Sequence, residues 1–294
     1  MDRQKKALLY ALSAVLLWST VATAFKLTLR FVPVVELVWW ASLVSFGVLG
    51  MLVVSGGHRE ALLAFWRRSW RQSLLLGAMN PFVYYLTLFR AYALLPAQEA
   101  QAINYTWALM LAFLSVPILK HRLNRYDVIA GALGYTGVVI IATHGDVFSW
   151  HFASLSGVGY AILSTVLWAL YWLISTRNTE EPVVTLFVHF GVGVVLMAGY
   201  LLWRGSPLHV SAEGMAGAVY IGLFEMSVTF VLWGRALKLT RKVATVSNLI
   251  FLSPVLSLVL IHTVVGETIY PSTITALGLI LAGLALQQTK IKAS

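Results

Sequence analysis

The sharpest chemical signal in this sequence is an acid in the middle of an apolar run. Glu225 stands eleven and twelve residues from the two ends of a run covering about 214–237. If that run crosses a bilayer, an ionised group at its centre costs about 2.5–3.5 kcal/mol on insertion scales. Such a group faces a cavity or a partner. Thr229 and Trp233 follow at i+4 and i+8, which on a continuous helix forms one polar-aromatic stripe with Glu225. Three uses stay open: a counter-charge for an amine, a proton-exchange group, or a protonated acid that only packs.

Other residues of the same kind recur along the chain. Asn80, 145 positions before Glu225, precedes Pro81, and Tyr84 follows one turn later. A proline inside a helix removes a hydrogen bond and leaves a carbonyl for water or a solute. Gln101, Asn104 and Tyr105 share one helical face, with Trp107 one turn from Asn104. Amides beside aromatic rings can bind a carboxylate or carbonyl while the rings stack on a flat molecule. Trp168 and Tyr171, joined by Trp172, line a third segment behind Ser164 and Thr165, and Ser247 and Asn248 mark a fourth. Each has a packing alternative, because amides and hydroxyls also hold membrane helices together. For Trp18, core packing is the stronger reading. His189 and His262 have no second ligand at metal spacing, and Gly131, Gly134 and Gly137 lie inside an apolar helix. The reading therefore contains no catalytic residue, no metal and no cofactor.

These residues sit in ten apolar runs, at about 7–25, 32–54, 72–94, 97–118, 127–143, 156–176, 182–203, 214–237, 243–264 and 270–287. Crossing a bilayer takes roughly 20 such residues. Charged residues make up 11% of the chain and apolar ones 59%, against about 25% charged in soluble domains. The expected fold class is an all-α membrane protein of ten transmembrane helices. The net charge of +10 is a topology signal and not a nucleic-acid footprint. With both termini cytoplasmic, seventeen of the 21 basic residues fall on that side, leaving Lys26, Arg30, Arg90 and Arg204 on the other. With no cysteine there is neither a disulfide nor a thiolate site. The basic start followed by an apolar run is read as a retained first helix, for want of a cleavage site.

The runs divide into two sets of five. Tyr10 to Trp18 matches Tyr160 to Trp168 at an offset of 150, Gly77, Arg90 and Ala91 match Gly222, Arg235 and Ala236 at 145, and Gly137 matches Gly283 at 146. The expected domains are residues 1–144 and 155–294, joined by the polar stretch His144 to His151. An odd number of crossings per repeat inverts one repeat on the other, the arrangement of carriers whose site lies at the seam.

The opening Arg3-Gln4-Lys5 with Leu16-Leu17-Trp18-Ser19-Thr20, then Arg235-Ala236-Leu237, Pro254-Val255-Leu256-Ser257 and Gly266-Glu267, resembles the drug/metabolite transporter superfamily, EamA type. Within it, Ile103-Asn104-Tyr105-Thr106-Trp107 is similar to a stretch of bacterial aromatic amino acid exporters. Ala108 stands where those carry proline, and Lys120-His121 replaces the Gly-Glu pair that symmetry calls for. The resemblance implies a secondary exporter of amino acids, aromatic ones included, in the bacterial inner membrane. Its partners would be a small-molecule solute and the lipid bilayer, with a monomer as the expected unit. A carrier of organic cations, nucleoside-like or sugar metabolites is the alternative, since an acid among rings suits a cation. An intramembrane enzyme is remote: no His-Glu-x-x-His or Gly-x-Ser-x-Gly occurs, and no acids are paired at membrane depth.

Overall fold

The computed structural model describes residues 2–120, 125–148, 154–175, 181–206, 209–240, 246 and 249–291. Among them every regular element is helical: α1 (Arg3–Thr28), α2 (Val34–Ser55), α3 (Arg59–Gly77), α4 (Tyr84–Leu94), α5 (Ala97–Asn104), α6 (Trp107–Leu119), α7 (Arg125–Ala142), α8 (Leu155–Ser175), α9 (Pro182–Arg204), α10 (Ala212–Phe224), α11 (Val228–Leu239), α12 (Leu252–Leu260) and α13 (Pro271–Ile291). Seven helical stretches are long and apolar enough to cross a membrane, and Leu249–Val265 and Pro271–Leu286 are shorter apolar ones.

The packing follows from lipid being the outer solvent. In α1 four of the buried positions are alanines, Ala7, Ala11, Ala14 and Ala22, while Leu9, Leu12 and Leu16 face outwards. Hydrocarbon gives leucine no reason to turn inward, so close backbone approach decides which face packs.

Two pairs of helices that run antiparallel show that approach from both sides. A Cβ on Gly137 of α7 would meet the Ala276 carbonyl of α13 at 2.8 Å, and one on Gly283 of α13 would meet the Ala130 carbonyl of α7 at 2.8 Å. The pair α2 and α9 repeats the device: Gly50 faces Phe187 at 3.0 Å and Gly191 faces Phe46 at 3.0 Å. The two phenyl rings stack between them, 4.6 Å apart at 10°. Elsewhere α1 packs on α11 and α12, while α8 packs on α4 and α6.

Three helices stop where the apolar runs continue, and this corrects the reading from sequence. The third run follows a kink at Ser69 (φ −126°, ψ 19°) within α3 and gives way to a wide-turned segment at Ala78–Val83, where Asn80 leaves helical geometry (φ −139°, ψ 119°). The fourth breaks at Tyr105 and Thr106. The eighth breaks at Glu225, Met226 and Ser227 (Ser227 φ −139°, ψ −73°). The stripe expected for Glu225, Thr229 and Trp233 therefore does not form, and Trp107 opens a helix of its own.

Backbone groups released at a break must find partners inside the protein. Hydroxyls supply them. Ser227 Oγ donates to the Gly222 and Leu223 carbonyls at 2.7 and 3.1 Å, and Thr229 Oγ1 donates to the Phe224 carbonyl. Ser45 Oγ donates to the Met226 carbonyl at 3.0 Å, and Thr106 Oγ1 to the Ile103 carbonyl at 2.8 Å.

Gly137→Val and Gly283→Val should each destabilise the protein by about 1–3 kcal/mol, because carbonyl backbone cannot yield as a side chain does. Thermal unfolding in detergent measures this. Gly278→Val, on the same α13 with nothing within 4 Å of its Cβ, should leave the midpoint unchanged.

Candidate functional site

The breaks bring the polar residues of α4, α5, α8 and α10 together. Glu225 is only partly buried, and its Oε1 accepts a hydrogen bond from the Tyr85 hydroxyl of α4 at 3.3 Å. The hydroxyls of Tyr84, Tyr92 and Tyr105 lie within its electrostatic reach. Among the described residues, no lysine or arginine acts on it.

Tyr84 links the acid's surroundings to an aromatic wall. Its ring stacks on Trp168 of α8 at 4.6 Å and 26°, and its hydroxyl faces Asn104. Asn104 Nδ2 donates to Ser164 Oγ at 3.1 Å, fixing the end of α5 against α8. Trp168 also lies parallel to Tyr171 at 5.8 Å and against Phe230 of α11 at 5.9 Å. Trp18 reaches the same Phe230 from α1 at 5.7 Å and packs on Trp233 at 5.5 Å. Trp18 and Trp168, matched in the repeat, thus both pack on one ring.

The expected residues divide accordingly. Asn80, Tyr84, Asn104, Trp168 and Tyr171 come together with Glu225; Asn80 is 2% exposed and faces the Tyr171 hydroxyl. Tyr105, at the break, faces Ser253 of α12. Gln101 lies one turn before Asn104, 6% exposed, with Oε1 unpartnered. Trp107 is partly buried and packs on the main core across the break from Asn104. Ser247 and Asn248 lie outside the described residues.

Two members were not foreseen. Tyr85 is fully buried and gives Glu225 its donor; its place one residue from Tyr84 was the available clue. His189 of α9 is not a lone histidine, since its Nδ1 and the Tyr171 hydroxyl share a hydrogen bond of 3.0 Å. No group of His, Asp and Glu among the described residues could hold a metal ion. Two open cavities, of about 410 and 430 Å³, lie elsewhere, one beside Lys26 and Glu267 and one lined by Thr20, Leu27 and Tyr220.

What the cluster offers is a carboxylate for a cationic group, amides and hydroxyls for polar atoms, and parallel rings for a flat body. Removing the Tyr171 hydroxyl tests how tightly the wall is built. Tyr171→Phe leaves a buried imidazole nitrogen without its partner and should cost about 1–3 kcal/mol, read as a lower thermal midpoint.

The model of the EamA-like transporter family matches this chain twice, over residues 5–143 and 155–287. An aromatic amino acid exporter, YddG of Ancylobacter novellus, is 26% identical over 88% of both chains. The uncharacterized transporter YvbV of Bacillus subtilis is 23% identical over 100% of this chain and 94% of its own. Protein PecM of Dickeya dadantii is 24% identical over 85% of this chain and 82% of its own. A solved crystal structure, 23% identical, superposes with a TM-score of 0.67 over 96% of each chain, a likeness of fold.

Proposed function

The chain belongs to the EamA-like transporter family, a multi-pass membrane protein, and we propose that it is a secondary carrier exporting small organic metabolites, amino acids with flat side chains among them. The observation that carries this reading is Glu225 at a helix break, bonded to Tyr85 and faced by the ring system of Tyr84 and Trp168. The carboxylate takes the substrate's ammonium group. Asn80, Gln101 and Asn104 meet its polar atoms and the rings take its side chain. The aromatic amino acid exporter among the relatives supports the same class.

In this reading the chain crosses the bacterial inner membrane ten times, both termini cytoplasmic, as inverted repeats 1–144 and 155–294. Support comes from the glycine contacts. Gly137 and Ala130 are the repeat partners of Gly283 and Ala276, and each glycine approaches the other pair's alanine. Equivalent helices that touch reciprocally while running antiparallel are what a two-fold axis in the membrane plane produces. Gly77 against the His189 carbonyl at 2.7 Å and Gly222 against the Ala41 carbonyl at 2.5 Å repeat the relation between α3 and α9, and α10 and α2. The site lies where broken helices from both repeats meet, and rocking of one repeat on the other opens it to alternate sides.

One observation favours a second reading, export of organic cations: Glu225 stands among rings with, among the described residues, no lysine or arginine acting on it. Transport into proteoliposomes separates the two. Labelled phenylalanine or tryptophan should accumulate above empty liposomes and be competed by other amino acids. Trp168→Ala should raise the half-saturating concentration roughly fivefold, the loss of about 1 kcal/mol of stacking. Glu225→Gln should abolish any stimulation by a pH gradient. Uptake of aromatic amines but not of amino acids would favour the cation reading.

A further inference from the structure

A second polar network lies at the end of the bundle opposite the two termini, where α1 finishes and α13 begins. The first-turn N–H groups of α5 have no partner within their own helix, and Pro96 before it supplies no side-chain cap. Glu267 does so from the other end of the sequence: Oε1 accepts from the Ala97 N–H at 2.9 Å and Oε2 from the Gln98 N–H at 3.4 Å. A carboxylate at that position is also favoured by the helix dipole.

Gln98, 1% exposed, completes the junction. Its Nε2 donates to the Thr268 carbonyl at 2.8 Å, and its Oε1 accepts from the Tyr270 N–H at 3.0 Å. The His144 imidazole lies 2.8 Å from Glu99 Oε1 and stacks on Tyr270 at 5.3 Å. Lys26 Nζ donates to the Tyr92 and Leu95 carbonyls at 3.0 and 2.6 Å, tying α1 to the turn before α5. Three sequence-distant segments, at Lys26, His144 and Glu267–Tyr270, therefore meet around the start of one short helix. That helix carries Gln101 and Asn104 into the central cluster.

We propose that Glu267 and Gln98 form the gate at this end, a clamp that closes the path and holds α5 so that Gln101 and Asn104 meet the substrate. This rests on the carrier reading and adds to it the residues that couple access to binding. The clamp exchanges one complete set of hydrogen bonds for another: with Glu267 withdrawn, the N–H groups of α5 are taken by water entering from that side. The opposite end is built differently. Lys120 (φ 57°) holds the left-handed turn that Gly266 (φ 81°) holds here, one repeat offset away. The next residue there is His121, so no carboxylate stands in Glu267's place.

The chain's lack of cysteine supplies a clean background. Gln101→Cys, one turn below Gln98, is labelled with a membrane-impermeant maleimide added from the side opposite the termini. Glu267→Gln should accelerate that labelling roughly tenfold, as expected for loss of a charge-assisted cap, and leave labelling from the terminal side unchanged or slower. His144→Gln, which loosens the Glu99 tie and the stacking on Tyr270 but leaves the Glu267 cap in place, should give a smaller acceleration of the same sidedness, and it carries the test should Glu267→Gln not yield monodisperse protein. Unchanged labelling in folded variants, or equal acceleration from both sides, overturns the proposal. No substrate is needed, so a failed transport assay leaves this result standing and the reverse holds as well.

Discussion

The structure depends on one constraint: no backbone N–H or C=O can be left without a partner inside hydrocarbon. An uninterrupted helix meets it automatically and offers a solute nothing. A helix that stops midway exposes polar groups at depth, and the protein must then account for each. At the break between α10 and α11 the accounts are kept by Ser227, Thr229 and Ser45, whose hydroxyls take the carbonyls of Gly222, Leu223, Phe224 and Met226. With those carbonyls satisfied locally, the break can hold the Glu225 carboxylate where it accepts from Tyr85. The hydroxyls that close the break and the acid that opens the chemistry are parts of one solution.

The same constraint explains what was readable beforehand. Apolar runs register as runs whether or not the helix inside them is continuous, so run lengths and the repeat offset were legible, as was the odd acid at 225. The interruptions were not. Thr106 and Ser227 look like ordinary small polar residues of a membrane helix until their carbonyl partners are known. The stripe of Glu225, Thr229 and Trp233 assumed a helix that Ser227 ends. In the same way Trp107 looked to be on Asn104's helix, when the chain turns between them at Tyr105 and Thr106.

Partners remote in sequence were hidden for a plainer reason. Tyr85 meets Glu225 across 140 positions, and Gln98 meets Tyr270 across 172. Periodicity reports which face of a helix is apolar, not which other helix supplies a donor. His189 illustrates the point: its isolation in sequence was real, and its partner Tyr171 came from a neighbouring helix. Gly131, Gly134 and Gly137 were legible because their meaning is local. Each leaves room for a neighbour, Phe113, Leu109 and the Ala276 carbonyl in turn.

The contact of α7 with α13 carries a consequence for the history and handling of such chains. In the inverted-repeat reading proposed for this chain, its two sides are the same surface presented upside down, with glycine and alanine trading places. A surface that recognises its own inverted counterpart needs no covalent connection to find its register. It is the kind of seam along which two separate polypeptides, inserted in opposite senses, assemble into one body. A single reading frame then preserves their proportion and not their fit.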